Sequence, residues 1–447
     1  MEGKNFYDVT RWPVGNPYQD IGEVLNSILE DIRSRQKEKN VKEGGKPGAV
    51  IYIPSGDYHL KTQVVIDISY LKIMGSGHGF TSSSIRFNAT NCENWHEIWP
   101  GGSRILVDLL PSEEDETQGA AFYVKRDGDP RISSVEFENF CIDGLHFTDD
   151  GTGEKNPENT YRNGKTGIYV ASPQDSFRVN GLGFIYLEHG VTIYHADALS
   201  IHDNFIAECG SCIELRGWGQ ASKITDNLIG AGNYGYSIYA QNFGGLLVTA
   251  NNVFPRGASS VHFEGVTRSS VTGNRFHSFY PGMIVLQKNC SENLISSNYF
   301  LKDPEPWTPM QDHSNGLDDS YGLMHVSGNY NSVMANHFSE VLEPEKAELS
   351  GTLPVMIHVV SGRENFISSN HFVFTAKEAE DVETTDSCYM AQVGALLDAG
   401  EARELAVTTV KVEPESVHNT ILDSGNERQV IMDRKENAFR PTPALGM

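Results

Sequence analysis

An asparagine that recurs at nearly constant spacing is the feature that most constrains the fold of this chain. Spacings of 23, 24, 23 and 24 residues separate Asn204, Asn227, Asn251, Asn274 and Asn298. The same register returns at Asn336 and Asn370, after longer intervals of 38 and 34 residues. A fixed period in the twenties is typical of stacked architectures, in which each repeat is one structural unit.

Each period contains short runs of alternating apolar and polar residues, separated by Gly, Asn and Ser. No period contains an amphipathic run long enough for a helix. Apolar side chains of successive coils can therefore stack inward, while each strand pairs with the coils on either side. The pattern predicts an all-β fold, a single-stranded parallel β-helix. A β-sandwich or a propeller with accidental spacing is the alternative.

The recurring asparagine is predicted to lie where each coil turns. Asn tolerates the left-handed backbone conformation, and its side-chain amide can bond to the equivalent Asn of the next coil. An apolar residue follows each Asn within two positions, namely Ile206, Ile229, Val253, Phe276, Phe300, Phe338 and Phe372. These apolar residues are expected to stack in the core.

The chain divides into three predicted segments. Residues 1–43 form a lead-in and a helix, because Asp20 precedes apolar residues at helical spacing. This helix is expected to cap the open first coil, since solenoid ends need caps. Residues 44–375 form the β-helix, and residues 376–447 supply final strands or a tail.

Three stretches are predicted to leave the coil, at residues 88–131, 149–164 and 301–320. The last of these contains a run from Asp303 to Asp319 that exceeds the length a coil needs. Long loops on a regular scaffold often carry function, so this run is a candidate lid over a substrate site.

The charge balance restricts the partners. The formal net charge of −24 argues against binding nucleic-acid phosphate, and it disfavours an acidic polysaccharide unless a metal mediates. A neutral glycan is the easier ligand. No metal or other cofactor is predicted, because His262, His325 and His358 share a row but belong to separate coils. Interaction with a membrane is not expected either, since no apolar run has the length of a membrane helix.

The cysteines and the start of the chain suggest a reducing compartment. Six cysteines are scattered along the sequence, and Cys209 and Cys212 have the spacing of a redox motif without its βαβ context. They are interpreted as structural thiols. The residues after Met1 include no apolar leader segment, so the protein is expected to be cytoplasmic.

Stacking also predicts two outward rows on the second alternating run of each coil. One row reads Glu214, Tyr239, His262, Val285, His325, His358, and the adjacent row reads Arg216, Gln241, Glu264, Gln287, Ser327. Planar amides, guanidinium groups and rings of this kind bind neutral sugars, and Trp218 could stack on a sugar ring. The predicted substrate contacts are Arg216, Trp218, Gln241, Asn242, His262, Glu264 and Gln287. Contact between subunits is the alternative role for these rows.

Glycosidic chemistry requires two carboxyl groups near one point, one protonated and one ionised. The segment around Asn204 offers Asp203, Glu208, Glu214 and Asp226, and the pattern alone allows any pair of them. Asp203 and Asp226 have a structural alternative, because an Asp beside an Asn at a turn often only caps the backbone.

The segment from Ala198 to Gly219, together with Ile53-Pro-Ser-Gly-Asp-Tyr58, resembles the inulin fructotransferase family, which also contains hydrolases of difructose anhydride III. The resemblance implies a right-handed parallel β-helix of the pectate-lyase-like type, assembled as a homotrimer with active sites between subunits. It also implies two catalytic carboxylates, an Asp and a Glu eleven positions apart. That spacing falls on Asp203 and Glu214.

The chemistry implied by the resemblance is a single displacement by acid and base catalysis, without a covalent intermediate. Glu214 is the expected general acid, and Asp203 the residue that orients or activates the attacking hydroxyl or water; the reverse assignment remains open. Because no leader is present, an intracellular hydrolase that opens difructose anhydride III to inulobiose is favoured. An inulin fructotransferase that releases a difructose anhydride from inulin is the alternative.

Two other classes remain open from the sequence. A non-catalytic, tailspike-like glycan binder would keep the repeated asparagines without needing the carboxylates. A metal-dependent pectate-type lyase would need a cluster of acids with a basic residue, for which Arg216 and Arg256 give only weak support.

Overall fold

The structure is a computed structural model, and it describes residues 5–37, 47–79, 101–112, 114–128, 130–144, 162–231, 235–254, 258–303, 315–342, 352, 354–376, 408–422, 430–432 and 438–440. The chain divides into two compact units, residues 1–232 and 233–447. Each consists of coils of a right-handed parallel β-helix, which confirms the predicted fold class. In both units, three parallel sheets form the sides of the coils, and we call them first, second and third in the order in which a coil visits them.

The strands of the first unit pair only in parallel with the coils before and after them. Its first sheet contains Phe6–Asp8, Ala49–Ile53, Leu71–Gly75, Val135–Glu138, Arg178–Asn180, Ser200–His202 and Lys223–Thr225. Its second sheet contains Gly56–Leu60, Ser103–Val107, Cys141–Asp143, Gly183–Ile185, Phe205–Cys209 and Leu228–Ala231. Its third sheet contains Val64–Ile66, Ala120–Val124, Ile132–Ser133, Thr166–Val170, Gln174–Asp175, His189–Asp197 and Ser211–Gln220.

The second unit repeats this arrangement. Its first sheet contains Leu247–Thr249, Ser270–Thr272, Leu294–Ser296, Ser332–Met334, Phe366–Ser368, Thr420–Leu422 and Ala438–Arg440. Its second sheet contains Asn252–Val253, Arg275–Ser278, Tyr299–Lys302, His337–Leu342 and His371–Ala376. Its third sheet contains Tyr236–Gln241, Ser259–Glu264, Ile284–Leu286, Met324–Val326, Val355–Val359, Thr408–Val412 and Val430–Met432. Shorter strands are Phe243–Gly244, Gly362–Arg363 and Ser416–Val417.

The predicted capping helix is present as Ile21–Lys37. Its apolar stripe is buried against the strands Gly56–Leu60 and Val64–Ile66. Asp20 fixes the start of the helix, because its Oδ1 accepts a hydrogen bond of 3.0 Å from the Gly22 backbone N–H. A side chain at Gly22 would collide with the Thr62 carbonyl oxygen, so this approach of helix to coil requires glycine.

The asparagines form a hydrogen-bonded ladder in each unit, as the repeat predicts. In the second unit, the Asn274 side-chain oxygen accepts from the Asn251 backbone N–H at 2.9 Å and from its side-chain amide at 3.0 Å. The same pair of bonds joins Asn298 to Asn274. In the first unit, Asn227 accepts likewise from Asn204. Each of these side chains is buried and satisfies backbone groups that the turn would otherwise leave unpaired.

One detail of the turn differs from the prediction. The left-handed residue is the one before each asparagine, with φ of 56° at Asp203, 59° at Asp226, 58° at Ala250 and 57° at Ser297. The asparagine itself supplies the hydrogen bonds. The residue before it can be Asp, Ala, Gly or Ser, so the turn does not depend on a carboxylate at that position.

A second ladder, which was not predicted from the sequence, runs parallel to the first in the second unit. It passes through Ser269, Asn293, Asn331, Asn365 and Asn419, each accepting from the coil before it. The signal was present, because Asn293, Asn331 and Asn365 each precede a member of the first ladder by five residues. The series is hard to recognise at its start, because position 269 holds serine instead of asparagine.

The core is a set of stacked columns. Phe276, Phe300, Phe338 and Phe372 stack with centroid distances of 5.1, 4.6 and 5.2 Å, which confirms the predicted stacking of the residues after each asparagine. The outward row also has the predicted register in this unit, since His262 pairs with Val285, Val285 with His325, and His325 with His358.

One predicted excursion needs correction. Residues 88–131 are not one excursion, because Ser103–Val107 and Ala120–Val124 are coil strands. Residues 376–447 are predicted to supply final strands or a tail, and the strands Thr408–Val412 and Thr420–Leu422 pair within the coil sheets, beyond the predicted end of the β-helix at residue 375. Most of the stretches at 149–164 and 301–320 lies outside the described residues, including 304–314 of the candidate lid.

Other sequence expectations concern thiols and membranes. Cys141, Cys209, Cys212 and Cys290 are buried and form no disulfide, and burial raises the pKa of Cys209 to about 12. Cys92 and Cys388 lie outside the described residues. Within the described ranges, no helix has the length and apolar character needed to cross a membrane.

Candidate active site

Glu214 is a buried carboxylate on the outward side of the third sheet. It lies in the strand Ser211–Gln220, between Ile213 and Leu215, whose side chains are fully buried in the core. Strand alternation therefore directs Glu214 away from the core. Even so, only 5 % of Glu214 is exposed, because neighbouring polar side chains cover it.

Three donors surround the Glu214 carboxylate. Its Oε2 lies 2.6 Å from His189 Nδ1 and accepts from Thr192 Oγ1 at 3.1 Å. Its Oε1 accepts from Arg216 Nη2 at 3.0 Å. Thr192 is the register partner of Glu214 one coil earlier, and Arg216 lies two positions along the same strand. The stacking of two coils therefore assembles the group.

This environment keeps Glu214 ionised. Burial alone would raise the pKa of its carboxyl group, but the hydrogen bond and charge of His189, together with Arg216, lower that pKa to about 2. An ionised carboxylate has no proton to donate. The environment therefore favours the reverse of the expected assignment, with Glu214 acting as a base or stabilising positive charge.

Arg216 links Glu214 to a second polar group. Its Nη1 donates to Glu116 Oε2 at 3.3 Å and to the Tyr194 hydroxyl at 3.2 Å. Tyr169 in turn donates to Glu116 Oε1 at 2.7 Å. Glu116 is not among the site residues predicted from the sequence, because it lies in a predicted excursion and 100 positions from Arg216.

Trp218 lies in the same strand as Arg216, beyond Gly217, whose φ of 82° turns the chain. The Trp218 ring is 42 % exposed, and it packs against His195 with a centroid distance of 5.1 Å. Arg131 lies over the indole at 6.0 Å. A pocket of about 150 Å³ is lined by Trp218, Arg126, Gly128, Arg131, Ile132 and Pro173. An exposed aromatic face beside arginines suits stacking against a sugar ring.

Asp203 lies at the corner between the first and second sheets of its coil, after the strand Ser200–His202. Its side chain is 64 % exposed, and its Oδ2 lies 2.9 Å from His202 Nδ1. Since the equivalent position holds Ala250 or Ser297 in other coils, the turn does not explain the carboxylate.

The structure separates Asp203 from Glu214 within one chain. In a coil with three sides, the corner between the first and second sheets lies across from the third sheet, which carries Glu214. No hydrogen bond or ion pair joins the two carboxylates in the part of the chain that the structure describes. The other two acids of this segment do not replace Asp203, because Glu208 is buried and Asp226 occupies the next turn.

The remaining sequence candidates lie in the second unit. Gln241, Asn242, Glu264 and Gln287 line one open groove of about 720 Å³, with Lys288, Asn289, Ser327 and Glu415 among its other polar residues. His262 is buried beside this row, 4.7 Å from the Tyr236 ring and 3.4 Å from Glu264 Oε1. Burial lowers the pKa of His262. The groove presents amides and carboxylates of the kind that bind sugar hydroxyls.

The described residues contain no group of three or more His, Cys, Asp or Glu side chains placed to hold a metal ion. The histidines His325 and His358 have other partners. His358 Nε2 lies 2.9 Å from Glu413 Oε1, and the Tyr321 ring stacks on His325 at 4.2 Å.

Comparison with known proteins identifies related sequences. Residues 297–443 match a family model described as the beta helix repeat of inulin fructotransferase, and residues 142–312 match one described as periplasmic copper-binding protein (NosD). An inulin fructotransferase (DFA-I-forming) from Arthrobacter globiformis is 43% identical over 373 residues, covering 82% of this chain and 88% of that protein.

Solved structures of a related enzyme cover nearly the whole chain. A crystal structure of DFA-IIIase from Arthrobacter chlorophenolicus A6 in complex with DFA-III has a TM-score of 0.88 and 64% sequence identity, and covers 99% of both chains. The same enzyme in complex with GF2 also has a TM-score of 0.88 and 64% identity, covering 99% of this chain and 100% of that one.

Proposed function

The chain belongs to the inulin fructotransferase family and is an enzyme that acts on fructose oligosaccharides; from this premise we propose that it hydrolyses difructose anhydride III (DFA-III) to inulobiose. The observation that carries the choice of reaction is the 64% identity, over 99% of the chain, to a DFA-IIIase crystallised with DFA-III. The DFA-I-forming fructotransferase is less similar, at 43% identity.

A fructotransferase reaction is the second candidate, because a curated relative carries out that reaction. The two reactions differ in the attacking group. In hydrolysis a water molecule attacks C2 of the fructosyl unit, whereas in transfer a hydroxyl of the same substrate attacks and closes a second ring. The same pair of carboxyl groups can serve both.

Glu214 is assigned the role of base because its carboxylate is held ionised, and Asp203 is assigned the complementary role of proton donor because the displacement needs both. The oxygen of water attacks C2, and its proton passes to the ionised carboxylate of Glu214, which also stabilises the positive charge that develops at the ring. The bond from C2 to the second sugar breaks, and Asp203 supplies the proton that this leaving oxygen needs. The anhydride ring opens in one displacement; Glu214 then releases its proton to solvent, and Asp203 takes one up, which restores the starting state.

The positions of the two residues imply that the site is shared between copies of the chain. Asp203 and Glu214 lie across one coil from each other, so a single substrate reaches both only if each comes from a different subunit. In a trimer with threefold rotational symmetry, the surface that carries Asp203 in one subunit would meet the surface that carries Glu214 in the next, at every interface. This arrangement also explains why Asp203 is exposed in the isolated chain.

The direct test is product analysis with purified protein. Incubation with DFA-III is expected to give inulobiose faster than incubation with inulin gives any short product, and Glu214→Gln is expected to abolish both reactions. Faster release of a difructose anhydride from inulin would favour the fructotransferase. The absence of any product from either substrate would favour a glycan-binding role.

A further inference from the structure

His189 forms the shortest contact to the Glu214 carboxylate and belongs to the preceding coil. It begins the strand His189–Asp197, and its backbone pairs with Ser211 of the strand that carries Glu214. The distance from His189 Nδ1 to Glu214 Oε2 is 2.6 Å, and the exposed fractions of the two side chains are 23% and 7%. Such a short contact between a half-buried imidazole and a buried carboxylate is typical of a charge-assisted hydrogen bond.

The charges around His189 favour its protonated form. Glu214 faces it from the next coil, Glu188 precedes it in the chain, and Arg216 opposes them from the far side of Glu214. Burial would lower the pKa of His189, but the hydrogen bond and charge of Glu214 outweigh burial, and the pKa is raised. The raised pKa extends to higher pH the range in which His189 donates to Glu214 as an imidazolium.

The two oxygens of Glu214 are held differently. Oε2 accepts from both His189 and Thr192, whereas Oε1 accepts from Arg216 alone among the described residues. Arg216 forms ion pairs with both Glu214 and Glu116. Fixing Oε2 with two donors leaves a lone pair of Oε1 free for a reacting proton.

We propose that His189 is a positioning residue for the proposed hydrolysis: it anchors Glu214 through Oε2 and keeps the carboxylate ionised, so that Oε1 can accept the proton of the attacking water. The inference rests on the proposed function of Glu214. It assigns a loss of activity at alkaline pH to loss of the His189 proton, in addition to the requirement for a proton donor at Asp203. It assigns the acid limit of activity to protonation of Glu214. His189 and Arg216 keep this limit at low pH, because both lower the pKa of the Glu214 carboxyl group.

Two variants distinguish positioning from a purely structural role. His189→Ala removes the donor and is expected to lower kcat on DFA-III roughly tenfold to a hundredfold with little change in KM. The acid limit of kcat should move to higher pH. Without His189, burial raises the pKa of Glu214 against the opposing effect of Arg216 alone. His189→Asn retains a donor that cannot titrate, so kcat should recover in part while the loss of activity that follows the His189 proton disappears.

The matched control is Thr192→Val, which removes the neutral donor to the same oxygen and should leave both pH limits close to those of the wild type. A folded His189→Ala enzyme with wild-type kcat and pH limits would overturn the proposal. The proposal would also be overturned if His189→Ala lost activity only because its thermal stability is lower, with the pH limits of the remaining activity unchanged.

A second measurement does not depend on activity. The unfolding free energies of wild type, His189→Ala, Glu214→Gln and the double variant give a coupling between the two residues. This coupling should be fully present below the ordinary histidine pKa of 6.5 and should disappear as the pH rises through the raised pKa of His189. If the coupling is absent in an active enzyme, the inference on His189 is wrong and the proposed function stands. If wild type shows the coupling but opens no DFA-III, the proposed function fails, and the catalytic role of His189 fails with it.

Discussion

The guanidinium group of Arg216 lies beside the carboxylate of Glu214, with 3.0 Å between Nη2 and Oε1. The two residues are two positions apart in one strand, so their side chains leave the same face of the third sheet. The proximity of a buried positive charge to a buried carboxylate is what permits Glu214 to remain ionised away from water.

Arg216→Ala should therefore impair catalysis through Glu214. We expect kcat/KM on DFA-III to fall roughly tenfold to a hundredfold, since a hydrogen bond to a charged group contributes about 1.5–3 kcal/mol. Steady-state kinetics of purified variants measure this. Arg268→Ala is the matched control, because Arg268 forms an exposed pair with Glu292 at 3.2 Å and should leave kinetics unchanged. Equal effects of the two substitutions would contradict the role of Arg216.

The stability of the protein should depend on pH through Glu214. The pKa of this carboxyl group is about 2 in the fold against an ordinary value of 4.5, so its ionised form stabilises the folded state. That contribution, about 3 kcal/mol, is complete above pH about 4.5 and is lost as the pH falls towards 2. Unfolding by urea from pH about 6 to 3 should show a smaller loss for Glu214→Gln than for wild type. Identical slopes would show that Glu214 is not held ionised.

The asparagine ladder should be a main source of stability in the second unit. Asn274→Ala removes the acceptor of the buried Asn251 backbone N–H and the donor to the Val248 carbonyl. Since each buried polar group left unpaired costs about 1–3 kcal/mol, the unfolding free energy should fall by about 3 kcal/mol or more. Asn252→Ala is the control, because this half-buried side chain lies outside the ladder. A similar loss of unfolding free energy for both variants would mean that the ladder stabilises the fold no more than an ordinary half-buried hydrogen bond does.

Lys302 and Glu340 form a buried ion pair in the second sheet, with 2.7 Å between Nζ and Oε1. Lys302 also contacts Asp319 at 3.0 Å, while Glu340 Oε2 has no hydrogen-bond partner among the residues that the structure describes. Lys302→Met should cost about 3–5 kcal/mol of unfolding free energy, because it leaves Glu340 buried without a cation. The double variant Lys302→Met, Glu340→Leu should be less destabilised than Lys302→Met alone. Additive losses, measured by urea unfolding, would contradict this account.

The repeat predicted the parts of the fold that depend on local periodicity. Residues such as Phe276 and Phe300 stack because the coil length is nearly constant, and that length is visible in the spacing of Asn274 and Asn298. The register of His325 and His358 is kept although the interval between Asn336 and Asn370 is longer than the regular one.

The surroundings of Glu214 could not be predicted in the same way. His189 and Thr192 precede the regular asparagines, so no repeat marked them as neighbours of Glu214. Glu116 reaches Arg216 from a stretch whose irregular length hides its register. Spacing also gave no sign that Asp203 and Glu214 occupy different sides of a coil, because sequence distance does not specify where the corners lie.

The central claim is that Asp203 and Glu214 act together from two copies of the chain. The most direct test combines two inactive variants, Asp203→Asn and Glu214→Gln, co-expressed with different affinity tags and purified through both. Asparagine keeps the left-handed turn at position 203 without its carboxylate. If the chain forms the proposed trimer with shared sites, each mixed trimer rebuilds one intact site and should show about a third of wild-type DFA-III hydrolysis. Mixed assemblies as inactive as their parents would contradict the shared site.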